Sequence, residues 1–212
     1  MSLFDEQAWE ERYRSAGSHG AIWSGRPNPQ LVDEVSELPA GNALDVGCGE
    51  GADAIWLAER GWRVTAVDFS KTALSRAAAH AESVAPDAAV RIEWLHTDLT
   101  SWTPPPRAFD LVSSQFMHLP SAQLQPLLAR LTTAVNAGGV LLVVGHHPLD
   151  MATTMPRPDN PDVYFTAEEV AHTLDAEEWE VVTAEARERT ADDPEGRQVA
   201  VHDAVLKARR RR

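Results

Sequence analysis

The residues with the most chemistry in them fall at the ends of predicted strands. Ala43-Leu-Asp-Val-Gly-Cys-Gly-Glu-Gly51 leaves one such strand and enters a helix through three alternating glycines, Gly47, Gly49 and Gly51. Glycine removes the Cβ where a backbone must turn sharply and let a ligand come close. Asp45 stands two residues before Gly47, where a carboxylate repels a pyrophosphate and suits a cationic group lying over the loop. Asp68 ends the next strand, Val64-Thr-Ala-Val-Asp68, 21 residues after Gly47. That spacing sets a carboxylate beside ribose hydroxyls in a doubly wound fold. Asp98, in Leu95-His-Thr-Asp98, follows the third strand. Three carboxylates at the C-terminal ends of adjacent strands converge on one crevice, the place where open α/β sheets bind ligands.

Other reactive side chains are weighed against simpler roles. His118, in Gln115-Phe-Met-His-Leu119, and His146 follow the fourth and fifth strands, where an imidazole can deprotonate an acceptor near neutral pH. His146 and His147 are adjacent and point to opposite faces of a strand, so they do not share one ion, and no metal is expected. Cys48, between glycines, reads as a small packing residue and not a nucleophile. Trp9, Tyr13 and Trp23 precede the strands and form a candidate lid over an aromatic or apolar acceptor.

The elements that must position these groups alternate. Strand patterns at 43–46, 63–67, 90–95, 109–113 and 140–144 are separated by helical patterns at 52–60, 71–84 and 124–135. This order predicts an α/β fold with a doubly wound, mostly parallel sheet. Ser70 and Ser121 are predicted N-caps, and Gly61 and Gly138-Gly139 predicted helix stops. Near the C-terminus, Thr166 caps a short helix and strands at 180–186 and 198–206 flank a turn-rich loop, predicting an antiparallel hairpin that completes seven strands. One domain is expected, with a lid segment over 1–29, a ligand-binding core over 40–147 and a helix and hairpin over 148–212.

Composition narrows the function classes. The 212 residues are 43% hydrophobic and 24% charged, with net charge −13, a globular balance whose field repels a phosphate backbone and disfavours nucleic acid. No apolar run nears bilayer length and no secretory leader pattern opens the chain, so a cytoplasmic location without membrane contact is expected.

Leu44-Asp-Val-Gly-Cys-Gly-Glu-Gly51, Val67-Asp-Phe-Ser70, Thr97-Asp98, Phe109-Asp-Leu-Val-Ser-Ser-Gln-Phe116 and Gly138-Gly-Val-Leu-Leu-Val-Val144 together resemble the class I S-adenosylmethionine-dependent methyltransferases in order and separation. Trp9-Glu-Glu-Arg-Tyr13 and Trp23-Ser-Gly-Arg-Pro-Asn28 resemble the N-terminal segment of the small tellurite-resistance and thiopurine-type members. The resemblance implies S-adenosylmethionine as cofactor, with Asp45, Gly47, Cys48, Gly49 and Gly51 around its methionine part. Asp68 then takes the ribose, Phe69 lies against the adenine, and Asp98 and the Leu99 N–H meet the adenine edge. Gln115 and Phe116 line the cofactor, and Trp9, Tyr13 and Trp23 cover the acceptor. The implied reaction is in-line methyl transfer to a small molecule, which needs alignment and exclusion of water more than a nucleophilic side chain. Two other readings stand beside it: a nicotinamide oxidoreductase using Gly47, Gly49 and Ala52, which Asp45 opposes, and a non-catalytic cofactor-binding scaffold.

Overall fold

The computed structural model describes residues 6–15 and 22–212. In chain order the elements are α1 (Glu6–Ser15), α2 (Pro29–Val35), β1 (Asn42–Val46), α3 (Ala52–Glu59), β2 (Arg63–Asp68), α4 (Lys71–Val84), α5 (Pro86–Ala89), β3 (Ile92–His96), β4 (Phe109–Gln115), α6 (Ser121–Ala134), β5 (Val135–His146), α7 (Ala167–Ala171), β6 (Trp179–Asp192) and β7 (Gln198–Arg210). The strands form one sheet in the order β3-β2-β1-β4-β5-β7-β6. Strands β1 to β5 pair in parallel, while β7 runs antiparallel to both β5 and β6. The strand order reverses between β1 and β4, so the loops after them open a crevice at the carboxyl edge of the sheet.

Burial on both faces explains why the central strands read as apolar runs. On one face Leu44, Val112 and Leu141 meet Leu124, Leu127, Leu128 and Leu131 of α6, spaced as one helical stripe. On the other, Ala43, Leu111 and Leu142 meet Ile55, Leu57 and Ala58 of α3, with Leu31 and Val35 of α2. Each fully buried leucine stabilises the fold by about 1.5–3 kcal/mol. Among the described residues no helix is long and apolar enough to cross a membrane.

Several boundaries depart from the sequence-based expectations. Ser70 caps α4 by accepting from the Ala73 N–H at 3.0 Å, but Ser121 is already helical, Pro120 holds the cap position, and the Ser121 hydroxyl donates to Asp162. Gly138 and Gly139 do not end a helix. The helix stops at Ala134, and Gly138, at φ +79°, sits in the irregular start of β5. The strand expected from Val90 starts at Ile92, because Val90 is exposed and serves as the C-cap of the short helix that Pro86 starts. Helix α2, at the end of the lid segment, has no counterpart among the predicted helices; Asn28 caps it through the Gln30 N–H and Pro29 fills its first turn. Phe4, Ala8, Trp9 and Tyr13 stand at helical spacing in the sequence, and α1 is seen from Glu6; Phe4 lies outside the described residues, as do Gly17 and Gly20 of the lid segment.

Candidate functional site

The turn from β1 into α3 is a cradle in which four backbone donors are already used. Gly47 N and Cys48 N donate to the Val67 carbonyl at 2.9 and 3.1 Å, and Gly51 N donates to the Cys48 carbonyl. Gly49 N donates to Asp68 Oδ2 at 2.9 Å. Two glycines are required here for different reasons. Gly51 has φ +83°, and a Cβ on it would stand 2.6 Å from the Trp94 ring. Gly49 has φ +52°, and its Cβ would stand 2.9 Å from the Tyr13 hydroxyl, inside the cavity. The loop therefore presents carbonyls and a Cβ-free surface to a ligand, with these four N–H groups spent.

Beneath the cradle lies Asp45, 2% exposed, with Oδ2 lacking any hydrogen-bond partner. Burial pushes its carboxyl well above the usual range, and the charges of Asp53 and Asp68 push further, against the Ala54 N–H that faces it. Burial likewise raises Asp53 to about 6, opposed by the Asn28 N–H. An unpaired buried carboxylate is costly unless a cationic group pairs with it, and it disfavours a pyrophosphate over the same loop. Cys48 has its thiol pushed well above its ordinary value by burial and then by Asp45 and Asp68, so it carries no thiolate. Asp68 is no bare strand end: it is 6% exposed and ties Gly49 N and Ser70 N together, at 2.9 and 2.8 Å.

The N-terminal segment folds onto this cradle through acids of the core and one of its own. Glu50 accepts from Ile22 N at 2.9 Å and Trp23 N at 3.2 Å, and Asp53 accepts from Asn28 N at 2.7 Å. Glu10 of α1 accepts from the Ser70 and Thr72 hydroxyls at 2.7 and 2.6 Å. Burial raises the Glu10 carboxyl, but these hydroxyls outweigh it and hold it at about 2. The Trp23 indole N–H donates to the Tyr13 hydroxyl at 3.0 Å, and Tyr13 is 4% exposed.

A cavity of about 1020 Å³ runs from the cradle to the ends of β4 and β5. Gly47, Cys48, Gly49, Gly51, Asp68, Phe69, Gln115 and Phe116 line it, as do Trp9, Tyr13, Trp23, His118 and His146. Asp45, Asp98 and Leu99 are not on its wall: Asp45 is buried beneath the glycine turn, the Asp98 carboxylate is exposed and taken by Thr100 and Ser101, and Leu99 is fully buried in the core. Sequence reasoning missed Asn28, Glu50, Asp53, Met117, Met155, Arg189 and Asp203, which also line the cavity. Arg189 and Asp203 arrive from the hairpin far along the chain, and no local pattern marked them.

At the far end the two histidines meet. His118 Nε2 lies 3.2 Å from His146 Nε2. Phe116, at φ +48°, makes the sharp turn after β4 that delivers Met117 and His118 to this point. Trp9 stacks on His118 at 5.6 Å between centroids, and Phe116 and Tyr164 flank His146. Burial lowers His118 to about 4, with Arg12 and Arg157 adding to it. Burial lowers His146 to about 3, helped by Arg157, His118 and Arg189. Both rings are neutral at physiological pH.

Comparison with known proteins agrees with this geometry. Residues 43–139 match a family described as "Methyltransferase domain". The chain is 38% identical over 114 residues to an uncharacterized methyltransferase of Mycobacterium tuberculosis, covering 54% of this chain and 55% of that protein. It is 35% identical over 131 residues to the trans-aconitate 2-methyltransferase of Rhizobium meliloti, covering 60% and 47%. The chain thus spans about half the length of these curated relatives. The fold is shared with magnesium protoporphyrin IX methyltransferase from Synechocystis PCC 6803, solved with bound S-adenosylhomocysteine, at TM-score 0.66, 18% identity and coverage of 98% and 96%. Family match and sheet order lead to one assignment: residues 43–139 form a methyltransferase domain, on the fold shared by S-adenosylmethionine-dependent methyltransferases.

Proposed function

We propose that the protein transfers a methyl group from S-adenosylmethionine to a small-molecule acceptor bound at the His118–His146 end of the cavity. The observation that carries this is the buried, unpartnered Asp45 oxygen beneath a cavity-lining glycine loop, four of whose N–H groups are already donated. When bound, S-adenosylmethionine supplies an electrophilic methyl group on a positively charged sulfur. Asp45 holds the ammonium, Asp68 the ribose hydroxyls, and Phe69 with Gln115 and Phe116 encloses the nucleoside. Asp98 and Leu99 stand behind the wall, which leaves the adenine face to Phe69.

Trp9, Tyr13 and Trp23 exclude water and align the acceptor. His118 and His146 orient it by hydrogen bonds. They are poor proton acceptors: moving a proton from a thiol near pKa 8.5 to an imidazole at about 4 climbs about 6 kcal/mol. A net charge of −13 supports a small molecule over nucleic acid as the acceptor, and the trans-aconitate 2-methyltransferase relative supports the same class. We place the reaction in the cytoplasm.

Calorimetry with S-adenosylmethionine, S-adenosylhomocysteine, NAD and NADP tests the cofactor. Binding of the two sulfur nucleosides alone is expected, and binding only of the nicotinamides refutes the reading. A screen that follows S-adenosylhomocysteine release across small acceptors tests turnover. Cofactor binding without any release would support a scaffold.

A further inference from the structure

Four cationic side chains of the hairpin and of the segment after β5 bear on the cavity's charge, and three are closed off. Arg157 places Nε and Nη2 on the buried Asp150 carboxylate at 3.1 and 2.9 Å. Arg187 is taken by Glu34, Glu185 and Gln30, and Lys207 by Glu34. None of these three lines the cavity.

Arg189 is different. It lines the cavity with its side chain 34% exposed. Its Nε and Nη2 are fixed on Asp203 at 2.8 and 3.2 Å, while Nη1 makes no hydrogen bond among the described residues. Asp203 is fully buried and is held from the other side by the Gln30 amide at 3.0 Å. The guanidinium is therefore anchored on one edge and open on the other. It also stands close to the histidines, because Asp203 of β7 pairs directly with His146 of β5.

The groups around this end set the sign of the ligand that fits. His118 and His146 share one hydrogen bond and are neutral. Arg12 lies over the Trp9 ring at 4.8 Å from its centroid, on the lid side. Asp203, paired with His146 across β7 and β5, is already engaged by Arg189 and Gln30. Trp9, Phe116 and Met155 supply apolar walls that strengthen any charge pairing made between them.

The geometry points to an acceptor that binds as an organic anion with an aromatic or unsaturated body, its oxygen anion seated on the open Nη1 edge of Arg189 beside His118 and His146. This rests on the methyltransferase reading above and adds the class of acceptor and its specificity-determining residue. An acceptor that arrives deprotonated has no need of a base, which matches the weak basicity of both imidazoles.

The test is calorimetry on the full chain saturated with S-adenosylhomocysteine, using benzoate and its neutral isostere benzamide as probes. Wild type is expected to bind benzoate at least about tenfold tighter than benzamide. Asp203→Asn, which frees the guanidinium from its competing carboxylate, should tighten benzoate further and leave benzamide unchanged. Arg189→Gln combined with Asp203→Asn keeps a neutral hydrogen-bonded pair in the fold and should bring the two probes to equal affinity. Equal affinity in wild type, or a preference that survives the double variant, overturns the inference while S-adenosylhomocysteine binding stands. Failure of S-adenosylhomocysteine to bind wild type overturns the underlying reading, and the inference with it.

Discussion

Asp45→Asn should move stability and cofactor affinity in opposite directions. The wild-type carboxyl is buried, one of its oxygens has no partner, and Asp53 and Asp68 repel its charge. Asparagine matches the protonated form in shape, keeps an oxygen for the Ala54 N–H and removes the repulsion, so the free variant should melt at or above wild type at pH 8. The sign with pH follows from the raised pKa. A carboxyl whose folded pKa lies above its unfolded value of about 3.9 contributes stability that is full below that value and is lost as pH rises through the folded pKa. Asp53, at about 6, adds in the same window. Wild type should therefore lose stability between about pH 4 and the pH range above 6, and the variant should lose less. Affinity for S-adenosylhomocysteine should fall, since a charge-assisted hydrogen bond is worth about 1.5–3 kcal/mol, roughly 10- to 150-fold in Kd. Urea melts at pH 5 and pH 8 with calorimetry on both proteins check this. A variant that is less stable at pH 8 and binds S-adenosylhomocysteine normally would refute the placement of a cation over Asp45.

Gly49→Ala carries a Cβ at φ +52° into the Tyr13 hydroxyl; a loss of about 1–2 kcal/mol from backbone strain is expected, with cofactor affinity down at least about tenfold, read by melting and calorimetry. Tyr13→Phe strands the Trp23 indole N–H and should cost about 0.5–1.5 kcal/mol, with kcat falling more than cofactor affinity as the lid loosens; unchanged kcat counts against a lid. Because His118 and His146 sit at about 4 and 3, their folded values lie below the unfolded one. Their contribution to stability is present above about pH 6.5 and is lost as pH falls toward those values. With Asp53 titrating at about 6, the histidines should add no inflection of their own to the kcat/KM profile; an inflection near about 6.5 that His118→Gln or His146→Gln abolishes would show that one histidine is a working base.

Removing the N-terminal segment is a harsher perturbation than its position before the sheet suggests. From sequence, cofactor affinity should survive loss of residues 1–25, since every cofactor motif lies downstream of residue 40. The structure puts Tyr13 and Trp23 directly over Gly49 and ties Glu10 to the start of α4 beside Asp68. Cofactor affinity and turnover should fall together, measured as Kd and kcat on the truncated chain.

What the chain spelled out by itself were features with local causes. Alternating strand and helix periods predicted the doubly wound sheet, Ser70 and Thr166 announced their helices through side-chain caps, and the Gly47–Gly51 turn showed itself because glycine adopts its left-handed φ values without a Cβ clash. Asp45 and Asp68 were legible because strand ends fix where such residues point. Tertiary structure decided the rest. Whether His118 and His146 were bases or neutral partners depended on their meeting at 3.2 Å under Trp9, and desolvation at that contact sets their charge. Asp98 looked equivalent to Asp68, yet a turn of two hydroxyl residues took up its carboxylate outside the cavity. Arg189 and Asp203 had no signature, because two residues 14 apart in a hairpin become an open guanidinium edge only when β7 inserts beside β5. Backbone geometry acts over a few residues and is written in their order; burial and charge pairing act across the folded chain and exist only once it has closed.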